Sequence, residues 1–165
     1  MGVINEISVA VLDENKNDAN TIKNLLCQFQ IEKGITFKIR VFNKCIDFLK
    51  ARTIFDFVFL ETEFQDHNGL QIIKKICKKK INQTLFCFET KSSEYAIASY
   101  SQNVSRYLLK PITANSLFEA LEGMIKQYQR NLSNYLFYLT DAQYDCVVLF
   151  KRRWKKDCAF YERKN

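Results

Sequence analysis

Two kinds of apolar pattern alternate along the first 130 residues. Short and mostly uninterrupted apolar runs are typical of buried strands, and stretches in which apolar residues recur every three or four positions are typical of amphipathic helices. Residues 35–42 instead alternate apolar and polar side chains, as an edge or half-covered strand does. The predicted strands are residues 7–13, 35–42, 55–61, 85–88 and 106–110.

A predicted helix follows each predicted strand. Shorter helical patterns cover residues 45–49, 70–77 and 94–100, and Thr113 stands where it can cap the last helix, after Pro111 has ended the fifth strand. Five strand–helix units in succession predict a doubly wound (βα)5 flavodoxin-like fold of the α/β class, with a parallel sheet in the order 2-1-3-4-5. The apolar face of the first helix contains Ala19, Ile22, Leu25, Leu26 and Phe29.

Residues 131–165 differ in character from the domain predicted for residues 1–130. Residues 135–150 predict two strands around a polar turn at residues 141–143. An isolated hairpin is marginal in water, so we expect this one to dock on the main domain. A basic tail follows from Lys151 onward.

Composition favours one globular domain with free thiols. Of the 165 residues, 47% are apolar and 26% are charged, which is typical of globular proteins. No apolar run approaches the roughly 20 residues of a membrane span, and the N-terminus lacks the basic start of a signal peptide, so we expect a cytoplasmic protein with no membrane contact. None of the six cysteines forms a C-x-x-C pair and His67 is the single histidine, so free buried cysteines are expected rather than a zinc site.

The net charge of +7 is compatible with contact to nucleic acid or to acidic partners. Residues 131–165 contain seven Lys or Arg and four Asp or Glu, so they supply +3 of this charge. Trp154 lies among the basic residues 151–156, a pattern that nucleic-acid contacts share. A solvated terminus is the simpler interpretation, and we expect DNA binding to be weak or absent.

Polar residues stand at the predicted carboxyl ends of four strands. These ends of parallel strands border the crevice in which open α/β sheets bind ligands. Three carboxylates, a hydroxyl and an ammonium together suit a hard divalent cation and an anionic phosphoryl oxygen. The residues are Asp13, Glu14, Glu61, Thr90 and Lys110.

Residues 7 to about 130 resemble the receiver domain of bacterial two-component response regulators. FDFVFLETEFQDHNGL (residues 55–70) resembles the stretch around the phosphorylation site, and SEYAIASYSQNVSRYLLKPIT (residues 93–113) resembles the C-terminal half with its Lys-Pro pair. The amino-acid sequence of this second stretch is most similar to that of receivers attached to LytTR-type DNA-binding domains. The resemblance implies a signalling module rather than an enzyme.

The resemblance also implies a role for each strand-end residue. Glu61 stands at the phospho-acceptor position, and Asp13 and Glu14 form the acidic pocket that, with Glu61, would hold Mg²⁺. Lys110 and Thr90 would contact the phosphoryl group, while Thr90 and Tyr107 would be the switch residues.

Three residues depart from the family pattern. The acceptor of the family is aspartate where this chain has Glu61, a proline is common where it has Gln65, and the acid Glu89 ends an otherwise apolar strand. Glutamate extends its carboxylate by about one bond length, roughly 1.5 Å, and a misplacement of about 1 Å can slow a positioned reaction on the order of 10²-fold. We therefore expect phosphorylation to be slow or absent, the Mg²⁺ site to be weak, and the longer carboxylate to reach Lys110 and Thr90.

Four functions remain to be weighed. The first is an atypical, phosphorylation-independent receiver, and the second is an active receiver that controls transcription. The third is a weak nucleic-acid binder that uses the basic tail. The fourth, a flavin carrier or enzyme, is disfavoured because residues 13–20 offer acids where a flavin phosphate needs backbone donors.

The resemblance also suggests partners. A histidine kinase or another signalling protein is expected, as is a homodimer through the fourth helix, the fifth strand and the fifth helix. A LytTR-type domain needs about 100 residues, and only about 35 follow the receiver-like part, so a stand-alone receiver or a shortened gene is expected. The residues predicted to line the dimer face are Ile97, Tyr100, Tyr107 and Phe118.

Overall fold

The computed structural model describes residues 6–51, 53–64, 71, 84–91 and 104–141, with the backbone alone for residues 133–141. Five parallel strands form one sheet in the order β2-β1-β3-β4-β5, so the predicted fold class and strand order are confirmed. The edge position predicted for residues 35–42 is also confirmed, because β2 pairs only with β1 in this order. The strands are β1 (Ile7–Leu12), β2 (Phe37–Phe42), β3 (Phe57–Glu61), β4 (Leu85–Thr90) and β5 (Val104–Leu109).

Three helices have described bounds: α1 (Lys16–Lys33), α2 (Cys45–Lys50) and α3 (Ala114–Asp141), the last being the fifth helix of the prediction. The side chain of Asn15 caps α1 by accepting hydrogen bonds from the first-turn amides. Thr113 caps α3 as predicted, because its Oγ1 accepts from the amide of Ser116 at 3.3 Å. Both helices therefore begin directly after the strand-end residues of the predicted crevice.

The apolar side chains of the sheet divide between its two faces. Val58 and Leu60 belong to a cluster with Phe48 of α2. Phe57 instead meets the ring of Tyr128 of α3 edge-on at 5.7 Å. Because side chains alternate along a strand, Glu61 shares the face of Phe57, which is the face that α3 covers.

A partly buried hydrogen-bond network lies at the amino ends of the strands. The carboxylate of Asp56 accepts from the amide of Ser8 at 2.7 Å and from its hydroxyl at 2.6 Å. The other oxygen of Asp56 accepts from the hydroxyl of Tyr128 at 2.9 Å. The network joins β1, the start of β3 and α3 far from the carboxyl ends, so it stabilises the fold without occupying the crevice.

The prediction of a first hairpin strand from residue 135 onward is wrong. Residues 135–141 form the last turns of α3 instead. The aromatic residues there favour strands, but β-propensity depends strongly on context, and an existing helix adds residues at little cost when no proline follows. The rest of the hairpin and the basic tail, residues 142–165, lie outside the described residues.

By its internal packing the chain divides into two units, residues 1–129 and 130–165. The first contains the sheet, α1, α2 and the first half of α3. The described part of the second is the C-terminal half of α3. The predicted helix at residues 94–100 lies outside the described residues, and of the helix predicted at residues 70–77 only one residue is described.

Other predictions are tested in part. Cys27, Cys45 and Cys87 are free thiols, as expected. Gln65, His67 and the remaining cysteines lie outside the described residues. Within the part of the chain that the structure describes, no helix has the length and apolar character needed to cross a membrane.

Candidate functional site

The ammonium of Lys110 lies among three carboxylates at the carboxyl edge of the sheet. Its Nζ donates to Glu61 Oε2 at 2.5 Å, to Asp13 Oδ2 at 2.6 Å and to Asp18 Oδ2 at 2.9 Å. The side chain of Lys110 is only 7% exposed, whereas that of Asp18 is 34% exposed. We call these four residues the Lys110 cluster. The sequence correctly predicted that Asp13, Glu61 and Lys110 converge.

Four backbone elements hold the cluster. Asp13 follows β1 and Glu61 ends β3, and the two strands are parallel neighbours, so their carboxyl ends meet. Lys110 follows β5, and its amide donates to the carbonyl oxygen of Thr90 at 2.8 Å, which joins it to the end of β4. Asp18 comes from the first turn of α1.

The carboxylate of Glu61 is held at both oxygens. Oε2 bonds Lys110, while Oε1 accepts from the amide of Thr62 at 2.7 Å, from its hydroxyl at 3.1 Å and from the amide of Glu63 at 3.3 Å. The chain directly after β3 thus folds around the carboxylate. Glu61 is consequently oriented toward Lys110 by its own backbone neighbours.

Asp13 is held in a similar way. Its Oδ1 accepts from the amide of Asn15 at 2.8 Å, and its backbone carbonyl accepts from the side chain of Asn43 at 2.8 Å. Burial raises the pKa of Asp13 above its ordinary value, although the hydrogen bonds from Lys110 and Asn15 oppose that shift. Orientation by backbone amides and by Lys110 therefore keeps the carboxylate in place despite its burial.

Lys110 itself is strongly held in its charged form. Burial alone would lower its pKa, but the hydrogen bonds to Asp13, Glu61 and Asp18 outweigh burial and raise the pKa well above the ordinary value. The direction follows from the geometry, since each carboxylate favours the ammonium over the neutral amine. The cluster therefore contains a permanent positive charge.

The predicted switch residues are neighbours. Thr90 is buried at the end of β4, and a hydrogen bond joins its side chain to the phenol of Tyr107 on β5. Burial raises the pKa of Tyr107, the bond to Thr90 opposes the shift, and the charge of Glu61 adds to it. Tyr107 therefore lies beside Thr90 near the pocket, and the switch roles of the two residues stay a prediction.

Glu14 has a different position from the other predicted acids. It is exposed in the turn that follows β1. The carboxylate that joins Asp13 and Glu61 at Lys110 is that of Asp18 instead. A helix N-terminus favours an acid in its first turn, and this was the only signal in the sequence that could have pointed to Asp18.

Glu89 is the second acid whose position the sequence did not foresee. It is fully buried on β4, in register with Glu61 on β3, and both of its carboxyl oxygens lack a hydrogen-bond partner among the described residues. Burial raises its pKa well above the ordinary value, the charges of Asp13 and Glu61 add to the shift, and Lys110 opposes it. The surroundings of Glu89 therefore favour its neutral form, beside a charged cluster.

The donor atoms of the pocket suit Mg²⁺ in type but not in arrangement. Carboxylate oxygens are the ligands that Mg²⁺ prefers, yet those of Asp13, Asp18 and Glu61 converge on an ammonium. Among the residues that the structure describes, no group of three acidic, histidine or cysteine side chains is arranged to hold a metal ion. The residues as they stand do not fit a resident Mg²⁺, and the weak site expected from the sequence stays a prediction.

Known proteins share this sequence pattern and fold. Residues 9–122 match the family model of the response regulator receiver domain. The sensory transduction protein LytT of Bacillus cereus is 31% identical over 77 residues, which cover 47% of this chain and 31% of that protein. The chain therefore spans about a third of the length of this curated relative.

Solved structures agree with the family model. The response regulator DrrB of Thermotoga maritima superposes with a TM-score of 0.64 at 22% identity, covering 74% of this chain and 54% of that chain. The response regulatory domain of mrkE from Klebsiella pneumoniae does so with a TM-score of 0.65 at 16% identity, covering 75% and 99%. At these sequence identities, the similarity to solved structures shows the fold alone. The family model covers more than half of the chain and therefore shows the family. The chain belongs to the response regulator receiver domain family, as the receiver of a two-component response regulator.

Proposed function

We propose that this receiver signals without a phosphoryl group on residue 61, as an atypical, phosphorylation-independent module of a two-component phosphorelay. The observation that supports the proposal most directly is the contact of 2.5 Å between Glu61 Oε2 and Lys110 Nζ. Glu61 places a negative charge on the lysine that would otherwise contact a phosphoryl group. The permanent negative charge of the Glu61 carboxylate replaces the transient negative charge of a phosphoryl group at this point.

The chemistry of the acceptor argues in the same direction. Phosphorylation needs a carboxylate oxygen that attacks a donor in line, and the extra methylene of Glu61 moves that oxygen by about one bond length. Both oxygens are also engaged, one by Lys110 and the other by the amides of Thr62 and Glu63. An oxygen that accepts several hydrogen bonds is a weaker nucleophile, so attack is slowed twice.

The output of such a module is contact with another protein. A histidine kinase or another signalling protein is the proposed partner, in the cytoplasm, and a homodimer through the fourth helix, the fifth strand and the fifth helix is the proposed assembly. The fourth helix lies outside the described residues, so the support comes from Tyr107 on β5, which is half-buried beside the pocket. DNA binding by residues 131–165 stays a prediction.

The test is direct phosphorylation of the purified protein. The wild type and Glu61→Asp are incubated with a small phosphodonor and Mg²⁺, and the intact masses are recorded over time. The wild type should gain no phosphoryl group, whereas Glu61→Asp should gain one at least weakly. Glu61→Gln, which cannot form an acyl phosphate, is the matched control.

The alternative is an active receiver that controls transcription through phosphate on Glu61. Rapid addition of one phosphoryl group to the wild type, mapped to Glu61 and absent from Glu61→Gln, would establish it and end the present proposal.

A further inference from the structure

The hydrogen-bonding capacity of Lys110 is fully used. An ammonium has three N–H donors, and the three carboxylates of the Lys110 cluster accept one each at 2.5–2.9 Å. The acceptors come from three separate elements: the end of β1, the first turn of α1 and the end of β3. A single cation thus joins three parts of the fold.

The carboxylates cannot turn freely toward another cation. The second oxygen of Asp13 accepts from the amide of Asn15, and the second oxygen of Glu61 accepts from the amides of Thr62 and Glu63. Lys110 is anchored in turn, because its amide bonds the carbonyl oxygen of Thr90 and its side chain is buried. In Asp13 and Glu61, the oxygen that the backbone amides leave available for a cation is the one that already bonds Lys110.

We propose that the ammonium of Lys110 takes the place of a divalent cation in this pocket, so that Mg²⁺ and Lys110 compete for the carboxylates of Asp13, Asp18 and Glu61. Mg²⁺ demands near-octahedral geometry at 2.0–2.1 Å and gives up its waters reluctantly. To bind, it must displace a buried ammonium that has no other described acceptor within the cluster. The competition therefore predicts that this receiver binds Mg²⁺ weakly.

This inference rests on the pocket of the proposed function and deepens it. A receiver whose internal cation balances Glu61 needs neither a metal nor a phosphoryl group to hold the pocket closed. The high pKa of Lys110 supports the idea, since the ammonium stays charged throughout the physiological range.

Titration calorimetry with Mg²⁺ tests the competition. The wild type and Lys110→Arg, which keeps the positive charge, should show no saturable binding up to about 10 mM, above the roughly 1 mM of weak protein cation sites. Lys110→Met should bind at least about tenfold more tightly than the wild type, because removing a unit charge a few ångströms from the cation removes a large repulsion. Lys33→Met is the matched control, since Lys33 also bonds a carboxylate, that of Glu122 at 2.8 Å, but on the exposed surface.

A second readout needs no variant. The ¹⁵N signal of the Lys110 side-chain ammonium is followed in the wild type as Mg²⁺ is added, and it should not change up to the same concentration. This measurement decides the question if circular dichroism shows that Lys110→Met does not fold.

Two results would overturn the inference: equal Mg²⁺ affinity of the wild type and Lys110→Met, or a Lys110 signal in the wild type that shifts and saturates below about 1 mM, the range of a weak site. Neither result bears on phosphorylation. Conversely, a wild type that is phosphorylated on Glu61 ends the proposed function, whatever the calorimetry shows.

Discussion

Glu61 and Glu89 are paired in register on neighbouring parallel strands, yet their carboxyl groups have opposite environments. Glu61 bonds Lys110 and two backbone amides. Glu89 is fully buried and lacks a hydrogen-bond partner among the described residues. Two identical side chains at the same level of the sheet therefore differ in their hydrogen bonding, because only Glu61 contacts donors among the described residues.

The pairing predicts that Glu89 destabilises the fold at neutral pH. Its pKa in the fold is raised well above the ordinary 4.5 by burial. A raised carboxyl pKa means that the folded state holds a proton that the unfolded state releases, so stability falls as the pH rises from about 4.5 toward the folded pKa. Glu89→Met removes the unpaired carboxyl at similar volume and should stabilise the protein at pH 7 by about 1–3 kcal/mol.

Urea unfolding between about pH 4.5 and pH 8 measures this effect. The advantage of Glu89→Met over the wild type should shrink toward the acid end of the range. Glu122→Gln, a change at an exposed carboxylate, serves as the control and should not reproduce that trend. A loss of stability in Glu89→Met at pH 7 would show that Glu89 has a favourable partner.

Lys110, in contrast to Glu89, should stabilise the fold at neutral pH, through the linkage between its protonation and folding. Its pKa is raised above the ordinary 10.5, so its contribution is complete below that value and is lost as the pH rises through the folded pKa. Lys110→Met leaves buried carboxylates unpaired and should cost about 3–5 kcal/mol. Chemical unfolding at pH 7 measures the loss. Stability should also fall more steeply above about pH 10.5 in the wild type and in the control Lys33→Met than in Lys110→Met, which lacks the linked ammonium.

The three carboxylates should contribute unequally to the Lys110 cluster. Glu61→Gln should cost about 2 kcal/mol, the value of a buried hydrogen bond to a charged group. Asp18→Asn should cost less than about 1 kcal/mol, because the carboxylate of Asp18 is a third exposed and solvent screens it. Double-mutant cycles with Lys110→Met measure both couplings, and a larger coupling for Asp18 than for Glu61 would contradict the geometry.

The contact between α3 and β5 should cancel the usual advantage of alanine over glycine at position 123 of α3. A Cβ built on Gly123 would lie 2.2 Å from Nη2 of Arg106, whose Nη1 donates to the carbonyl of Ser105 at 2.6 Å. Alanine normally stabilises a helix interior by about 1 kcal/mol relative to glycine. Gly123→Ala should lose that benefit in the wild type and regain it in the Arg106→Ala background. Thermal unfolding of the four proteins provides the test, and equal effects of Gly123→Ala in both backgrounds would exclude the predicted clash.

The sequence alone determined the strand order and the core of the site. The alternation of strand and helix patterns implies a parallel sheet, and a parallel sheet necessarily brings Asp13, Glu61 and Lys110 to one edge. These conclusions depend only on local periodicity and on the direction of the strands. Both are properties of short segments, which the chain encodes directly.

The tertiary structure decided which groups bond one another and which do not. Asp18 reaches Lys110 because the first turn of α1 lies beside the carboxyl ends of β1 and β3. Glu89, in register with Glu61, has no hydrogen-bond partner among the residues that the structure describes. The extension of α3 through residues 135–141, where the pattern predicts a strand, follows from the continuation of an existing helix. Distances between segments far apart in the chain depend on packing, and no periodicity within a single segment contains that information.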